Sequence, residues 1–140
     1  MPIDLLAGGL SAWEGDKRFW SLEDGVLTGR STIETPCEES TYLTWMDAEV
    51  ADFVLCLEFK IESGNSGIQF RSEHGGGFGL LGYQADLEAG EAWTGGLYET
   101  GGRAVLGPRG LRVILDPDGK KRYEPLPPEA AEVGRDVTGE

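Results

Sequence analysis

Five polar side chains, spaced two apart along alternating segments, carry the chemistry this sequence offers. Glu58 stands in FVLCLEFKI (residues 53–61), Gln69 and Arg71 in IQFRS (68–72), and Gln84 and Asp86 in GYQADLE (82–88). Strand side chains alternate between two faces. If Phe53, Leu55, Leu57, Ile68, Phe70, Tyr83 and Leu87 turn inward, the five polar residues therefore share the opposite face. Two carboxylates can exchange protons, a guanidinium can steady developing negative charge, and amides can orient hydroxyls. A concave sheet lined in this way suits a sugar. The same pattern fits a plainer arrangement, a cross-strand ion pair between Glu58 and Arg71 on a wetted face, worth about 0.2–1 kcal/mol.

The elements that must position these residues are short strands. Residues 53–61 show the strongest alternation in the chain and predict a strand, with Val54, Cys56, Glu58 and Lys60 on its second face. Gly64-Asn65-Ser66-Gly67 reads as a turn joining it to 68–72, because these residue types accept positive φ or bond their own backbone. Gly75, Gly76, Gly77 and Gly79 predict a mobile loop. Upstream, FWSLEDGVLTGR (19–30) reads as two strands joined by a hairpin turn at Glu23-Asp24-Gly25, and 41–45 as another strand. Downstream, 111–115 and 120–123 flank the turn Asp116-Pro117-Asp118-Gly119. The count is about seven strands, the number of a sandwich. Residues 1–123 form the expected domain, and 124–140 a weakly anchored Pro/Glu-rich tail with at most a turn or two of helix ending at Gly134.

Composition narrows the partners. The chain has 140 residues, enough for one domain, and its formal charge of −13 repels nucleic acid and anionic lipid. No window is apolar enough for a membrane span, and the N-terminus lacks a basic region before an apolar stretch, so no signal peptide is expected. Cys37 and Cys56 fit no zinc spacing and read as buried or half-buried thiols, a single bridge between them being the alternative.

Four stretches in order resemble the 3-keto-disaccharide hydrolase domain family: Leu5-Leu6 with Trp13, then residues 19–30, 51–72 and 82–106. The resemblance implies an all-β, concanavalin A-like jelly-roll sandwich. Family members are longer and continue into a strand bearing a Trp-Asn pair, so it also implies that the closing strands are missing here. It further implies a substrate already oxidised to a ketone at sugar carbon 3 and made by a separate oxidoreductase. No cofactor is needed for the cleavage, which runs by proton abstraction, β-elimination and hydration. In that chemistry Glu58 and Asp86 take acid and base duty, Arg71 polarises the ketone or steadies the enolate, and Gln69 and Gln84 orient hydroxyls. Relatives are commonly exported or periplasmic, which leaves location open for a chain without a leader.

Other residues have two readings each. Asn65 either serves the turn or reaches a ligand from the rim. Tyr98, matching a family tyrosine in a TGxLY segment, either lends its hydroxyl to the sugar or packs with a wet tip. Arg103, matching a family loop arginine, is a rim candidate. Trp45 and Trp93 can stack on a sugar ring or fill core. His74 is a solvated loop residue without a role, and Asp24, Asp116 and Asp118 are accounted for by turns, with calcium, whose oxygen ligands are plentiful here but lack EF-hand spacing, as the minor alternative; no metal site is assigned. The rival function is a non-catalytic carbohydrate-binding module of the lectin or laminin G-like kind, or an inactive incomplete domain.

Overall fold

The computed structural model describes residues 2–90 and 92–127. Among them a short 3-10 helix, Gly9–Ala12, precedes ten strands. These are β1 (Trp13–Glu14), β2 (Trp20–Glu23), β3 (Val26–Gly29), β4 (Thr44–Trp45), β5 (Asn65–Gly76), β6 (Gly79–Glu88), β7 (Leu97–Thr100), β8 (Ala104–Gly107), β9 (Leu111–Leu115) and β10 (Lys121–Pro125). The protein is all-β. Its sheets are open: three two-stranded pairs, β1–β4, β2–β3 and β9–β10, and one four-stranded sheet in the order β5-β6-β7-β8. This is consistent with a β-sandwich whose sheets are not closed among the described residues. By its internal contacts the chain divides into two units, one from the residues up to Leu55 with Glu73–Leu80, the other from Cys56–Ser72 with the chain from Leu81 onward.

Turn chemistry decides the local structure of the first unit. Asp24 and Gly25 both have positive φ, 49° and 78°, the requirement of a type I′ turn, and Glu23 lies opposite Val26. Gly29 has no side chain because the Trp20 ring lies over it; a Cβ there would come within 2.8 Å of the ring. Trp13 pairs across the ladder with Trp45, and its indole donates to the Leu5 carbonyl at 3.1 Å. Phe19 is the buried hydrophobe of this unit, with the Arg18 guanidinium over its ring at 5.2 Å.

In the second unit β5 up to Ser72, β6 from Leu81, β7 and β8 are joined by the hairpin β9–β10, in which Lys121 faces Leu115 across the expected Asp116-Pro117-Asp118-Gly119 turn. Lys121 Nζ donates to the carbonyls of Arg103 and Val105, both at 2.6 Å, which ties β10 to β8. Leu106 in β8 is its buried hydrophobe.

Several sequence expectations are corrected. Residues 53–62 form no strand: they lie outside every ladder, with Phe53 47%, Val54 90% and Phe59 51% exposed. Alternation provides an apolar face, but a strand exists only where a neighbour completes its hydrogen bonds, and among the described residues none does. Asn65, Ser66 and Gly67 therefore open β5 instead of turning the chain. The reversal sits further on, between β5 and β6, where Gly76 and Gly77 have φ of 105° and 54°, so the expected glycine loop is a hairpin tip. Cys37 and Cys56 are exposed free thiols, neither buried nor bridged. β10 runs on through Pro125, and the expected tail helix lies outside the described residues. None of the described helices is long and apolar enough to cross a membrane.

Candidate functional site

The two faces of the four-stranded sheet are chemically different. On one, the Phe70 and Tyr83 rings lie 5.9 Å apart, and Tyr83 stands directly opposite Glu99 of β7. Arg103, in the β7–β8 turn, closes this cluster: Nε donates to Glu99 Oε2 at 2.6 Å, Nη2 to Oε1 at 3.2 Å, and Nη2 also to the Tyr83 hydroxyl at 3.1 Å. Hydrogen bonds from the Arg103 side chain, and then from its backbone amide, hold the Glu99 carboxyl below the usual glutamate range; the bond to Glu99 in turn raises the guanidinium. In the first unit Asp16 is lowered by the same device, chiefly a side-chain bond from Arg18.

The other face carries the alternate residues. Gln84 Nε2 donates to Asp86 Oδ1 at 2.7 Å, and Asp86, 7% exposed, is the one buried charged residue among those described. Tyr98 lies directly opposite Gln84 in the ladder, so its side chain leaves the sheet on the same side. Two glycines make the room. A Cβ on Gly67 would stand 2.5 Å from Gln84 Cγ, and one on buried Gly96 would stand 2.9 Å from the Trp93 carbonyl and 3.8 Å from Asp86 Oδ2. By alternation from Phe70, Gln69 belongs to this face; both polar atoms of its amide are out of solvent and without a hydrogen-bond partner among the described atoms.

Beside this face Glu88 organises the segment leading to β7. Its Oε1 accepts from the backbone amides of Ala92 at 2.6 Å and Trp93 at 2.8 Å, while Thr94 Oγ1 accepts from the Glu88 amide at 2.9 Å. Those bonds hold the turn from which Gly96 accepts the Asp86 amide at 3.0 Å.

Of the residues proposed from sequence, the structure gathers Gln69, Gln84, Asp86 and Tyr98 on one face. Glu58 stands on the exposed segment outside the sheet, so alternation does not bring it to that face. Arg71 is exposed with φ of 47°; this left-handed residue interrupts the pleat of β5 and re-aims the strand, so period-two bookkeeping ends there. Opposite it, the β5 backbone comes so close that a Cβ on Gly82 would be 2.8 Å from the Arg71 carbonyl. Asn65 is exposed at the start of β5, and Arg103 belongs to the opposite face, bonded to Glu99 and Tyr83. Trp93 is 41% exposed and Trp45 is half-buried in its ladder.

Sequence reasoning overlooked Gly67, Glu88 and Gly96. A glycine inside a strand pattern marks close approach, which was the available signal for Gly67. A shallow depression of about 380 Å3 in the first unit, lined by Ser11, Trp13, Glu14, Lys17 and Met46 among others, holds none of the expected site residues. No group of three metal-ligating side chains occurs among the described residues.

Compared with known families, residues 2–135 match the model of the 3-keto-alpha-glucoside-1,2-lyase-like domain. Among curated proteins and solved structures no match to the chain was found.

Proposed function

The chain belongs to the 3-keto-alpha-glucoside-1,2-lyase-like domain family, and from that premise we propose that it cleaves 3-keto-glycosides, 3-keto-disaccharides among them, by removing the proton on sugar carbon 2. A ketone at carbon 3 acidifies that proton. Asp86 is the base: its carboxylate takes the proton, the electron pair of the C2–H bond moves into C2=C3 with the negative charge on the carbon 3 oxygen, and that enolate then collapses to the ketone, its pair forming the C1=C2 double bond as the C1–O bond breaks. Asp86 then passes the proton to the departing oxygen. Water adds across the double bond, hydroxyl to carbon 1 and hydrogen to carbon 2, so the net change is hydrolysis and nothing is oxidised or reduced.

The observation that carries this reading is the buried carboxylate of Asp86, fixed by Gln84 on the face that also bears Tyr98 and Gln69. A base must be held in place and shielded from bulk water to take a carbon-bound proton, and a neutral amide fixes Asp86 while leaving Oδ2 to act. Tyr98 donates its hydroxyl to the enolate oxygen, with Arg71 as the cation at the sheet's kink. The unpaired amide of Gln69 offers a donor and an acceptor to sugar hydroxyls, and Asn65 lies at the rim. Glu58, off the sheet, takes no part in the step. The ketone is supplied by a separate oxidoreductase acting on a hydroxyl.

Monosaccharide release from a 3-keto-disaccharide tests the proposal. Asp86→Asn is expected to lower turnover by about a hundredfold or more, the range of a lost general base. Full turnover in that variant removes Asp86 from the mechanism. A wild-type protein that binds the unoxidised disaccharide and releases nothing is a carbohydrate-binding module instead.

A further inference from the structure

Among the described residues, 53–63 are the longest stretch with strand character and no strand partner. The sequence FVLCLEFKIES has no glycine or proline, and its alternate residues Phe53, Leu55, Leu57 and Phe59 are 47%, 40%, 46% and 51% exposed. An exposed run of this kind is a template for pairing with another chain. Residues 55–63 hold two glutamates and one lysine, −1 in a chain of −13, so pairing of copies depends on where these charges stand and not on their sum.

Charge placement selects the occupant. Consider two copies of the segment paired antiparallel about a two-fold axis, and ask which register is self-consistent. With Phe59 facing Phe59, Glu58 of each copy stands opposite Lys60 of the other, Leu57 opposite Ile61, and Cys56 opposite Glu62. Symmetry makes the Glu58–Lys60 contact twice. Neighbouring registers on the same faces fail. Centring on Glu58 sets two glutamates together, centring on Lys60 sets two lysines together, and centring on Leu57 leaves Glu58 opposite Cys56 and Lys60 opposite Val54. Shifts that put the axis between residues set charged side chains against Phe59 or Leu57, because a one-residue slip exchanges the faces. Opposite charges across a ladder favour pairing and like charges oppose it, so one register is singled out. Lys60 is available for it: its present partner, Glu62, lies 3.1 Å away in a pair whose side chains are 83% and 78% exposed.

We infer that residues 55–63 pair as an antiparallel strand with the same segment of a second copy, centred on Phe59, and that this chain self-associates through that ladder. The partner is a second copy rather than an unrelated strand, because the segment is complementary to itself in charge and in apolar pattern.

The test uses two single variants, Glu58→Lys and Lys60→Glu, in the full chain. Sedimentation velocity over a concentration series is expected to show wild-type dimers and, for each variant alone, association weakened by about tenfold or more, since like charges then meet twice. An equal mixture of the two variants restores complementary crossings, so heterodimers form at wild-type strength. Both substitutions are on an exposed segment, and unchanged far-ultraviolet circular dichroism verifies that the fold is intact. A monomeric wild type, variants that dimerise as well as wild type, or a mixture that associates no better than its components each overturns the inference.

Discussion

Tyr83 and Gln84 are neighbours in one strand, yet they belong to two different chemical environments. On the Tyr83 face the acid is Glu99, bound through Nε and Nη2 of the Arg103 guanidinium, with Arg103 44% exposed and Glu99 19%. On the Gln84 face the acid is Asp86, buried and held by an amide. A carboxylate clasped by a guanidinium is fixed as an anion and has lost affinity for protons, which suits it to fastening a turn. One held by a neutral donor, out of bulk water, is placed for transfer. Charge alone does not mark a site; what each charge is bonded to separates a fastener from a reagent.

The comparison breaks most visibly at the acids themselves. Asp86→Asn should abolish most turnover, by about a hundredfold or more, while Glu99→Gln should alter kcat by no more than about twofold. Steady-state kinetics on a 3-keto-disaccharide reads both, and equal losses would erase the distinction. Next in size is Gly67→Ala. The new Cβ would meet Gln84 Cγ at 2.5 Å, Cδ at 2.6 Å and the Ala85 carbonyl at 2.8 Å, so Gln84 must move and release Asp86. Overpacking of this kind costs about 1–3 kcal/mol, visible as a lower denaturation midpoint, and turnover falls with it. A smaller effect is expected at Glu88→Ala. The Ala92 and Trp93 amides lose their acceptor, and their hydrogen exchange should quicken by about tenfold, without comparable change in β9 or β10.

How far the sequence reached depends on whether a signal was local. Asp24-Gly25 and Asp116-Pro117-Asp118-Gly119 carry their turn geometry in their own backbones, and both hairpins stand where they were expected. Residues 53–61 had the strongest alternation of all and formed no strand, because pairing is supplied by a neighbour and not by the segment. That failure displaced the hairpin. The partner of IQFRS is β6 and not the preceding run, so alternation alone puts Glu58 on a face it does not share. Within β5 and β6 alternation holds as far as Phe70: Phe70 and Tyr83 meet on one side of the sheet, and Gln84 bonds Asp86 on the other. It ended at Arg71, whose left-handed φ no propensity announces. Arg103 illustrates the remaining limit. A matching motif placed it near a ligand, whereas its face was set by the turn after β7 and by Glu99.

The smallest expected effect concerns that arginine, and it distinguishes charge from packing. Arg103 holds Glu99 below the ordinary glutamate value of 4.5, so the folded state binds this proton less readily than the unfolded chain does. The stabilisation is therefore complete above that value and disappears as the pH falls below 4.5 and through the depressed folded value. Wild type should then melt slightly above Glu99→Gln at neutral pH, and the gap should narrow to nothing in acid. Because the pair is solvent-exposed, added salt should shrink the neutral-pH gap as well. Asn in place of Asp86 should show no such salt dependence in its lost turnover, since proton transfer to a buried group is not screened in that way. A Glu99→Gln gap that persisted in acid and at high salt would mean the residue acts by shape, filling the turn beneath Gly102 and Arg103, and the two faces would differ in chemistry less than their bonding implies.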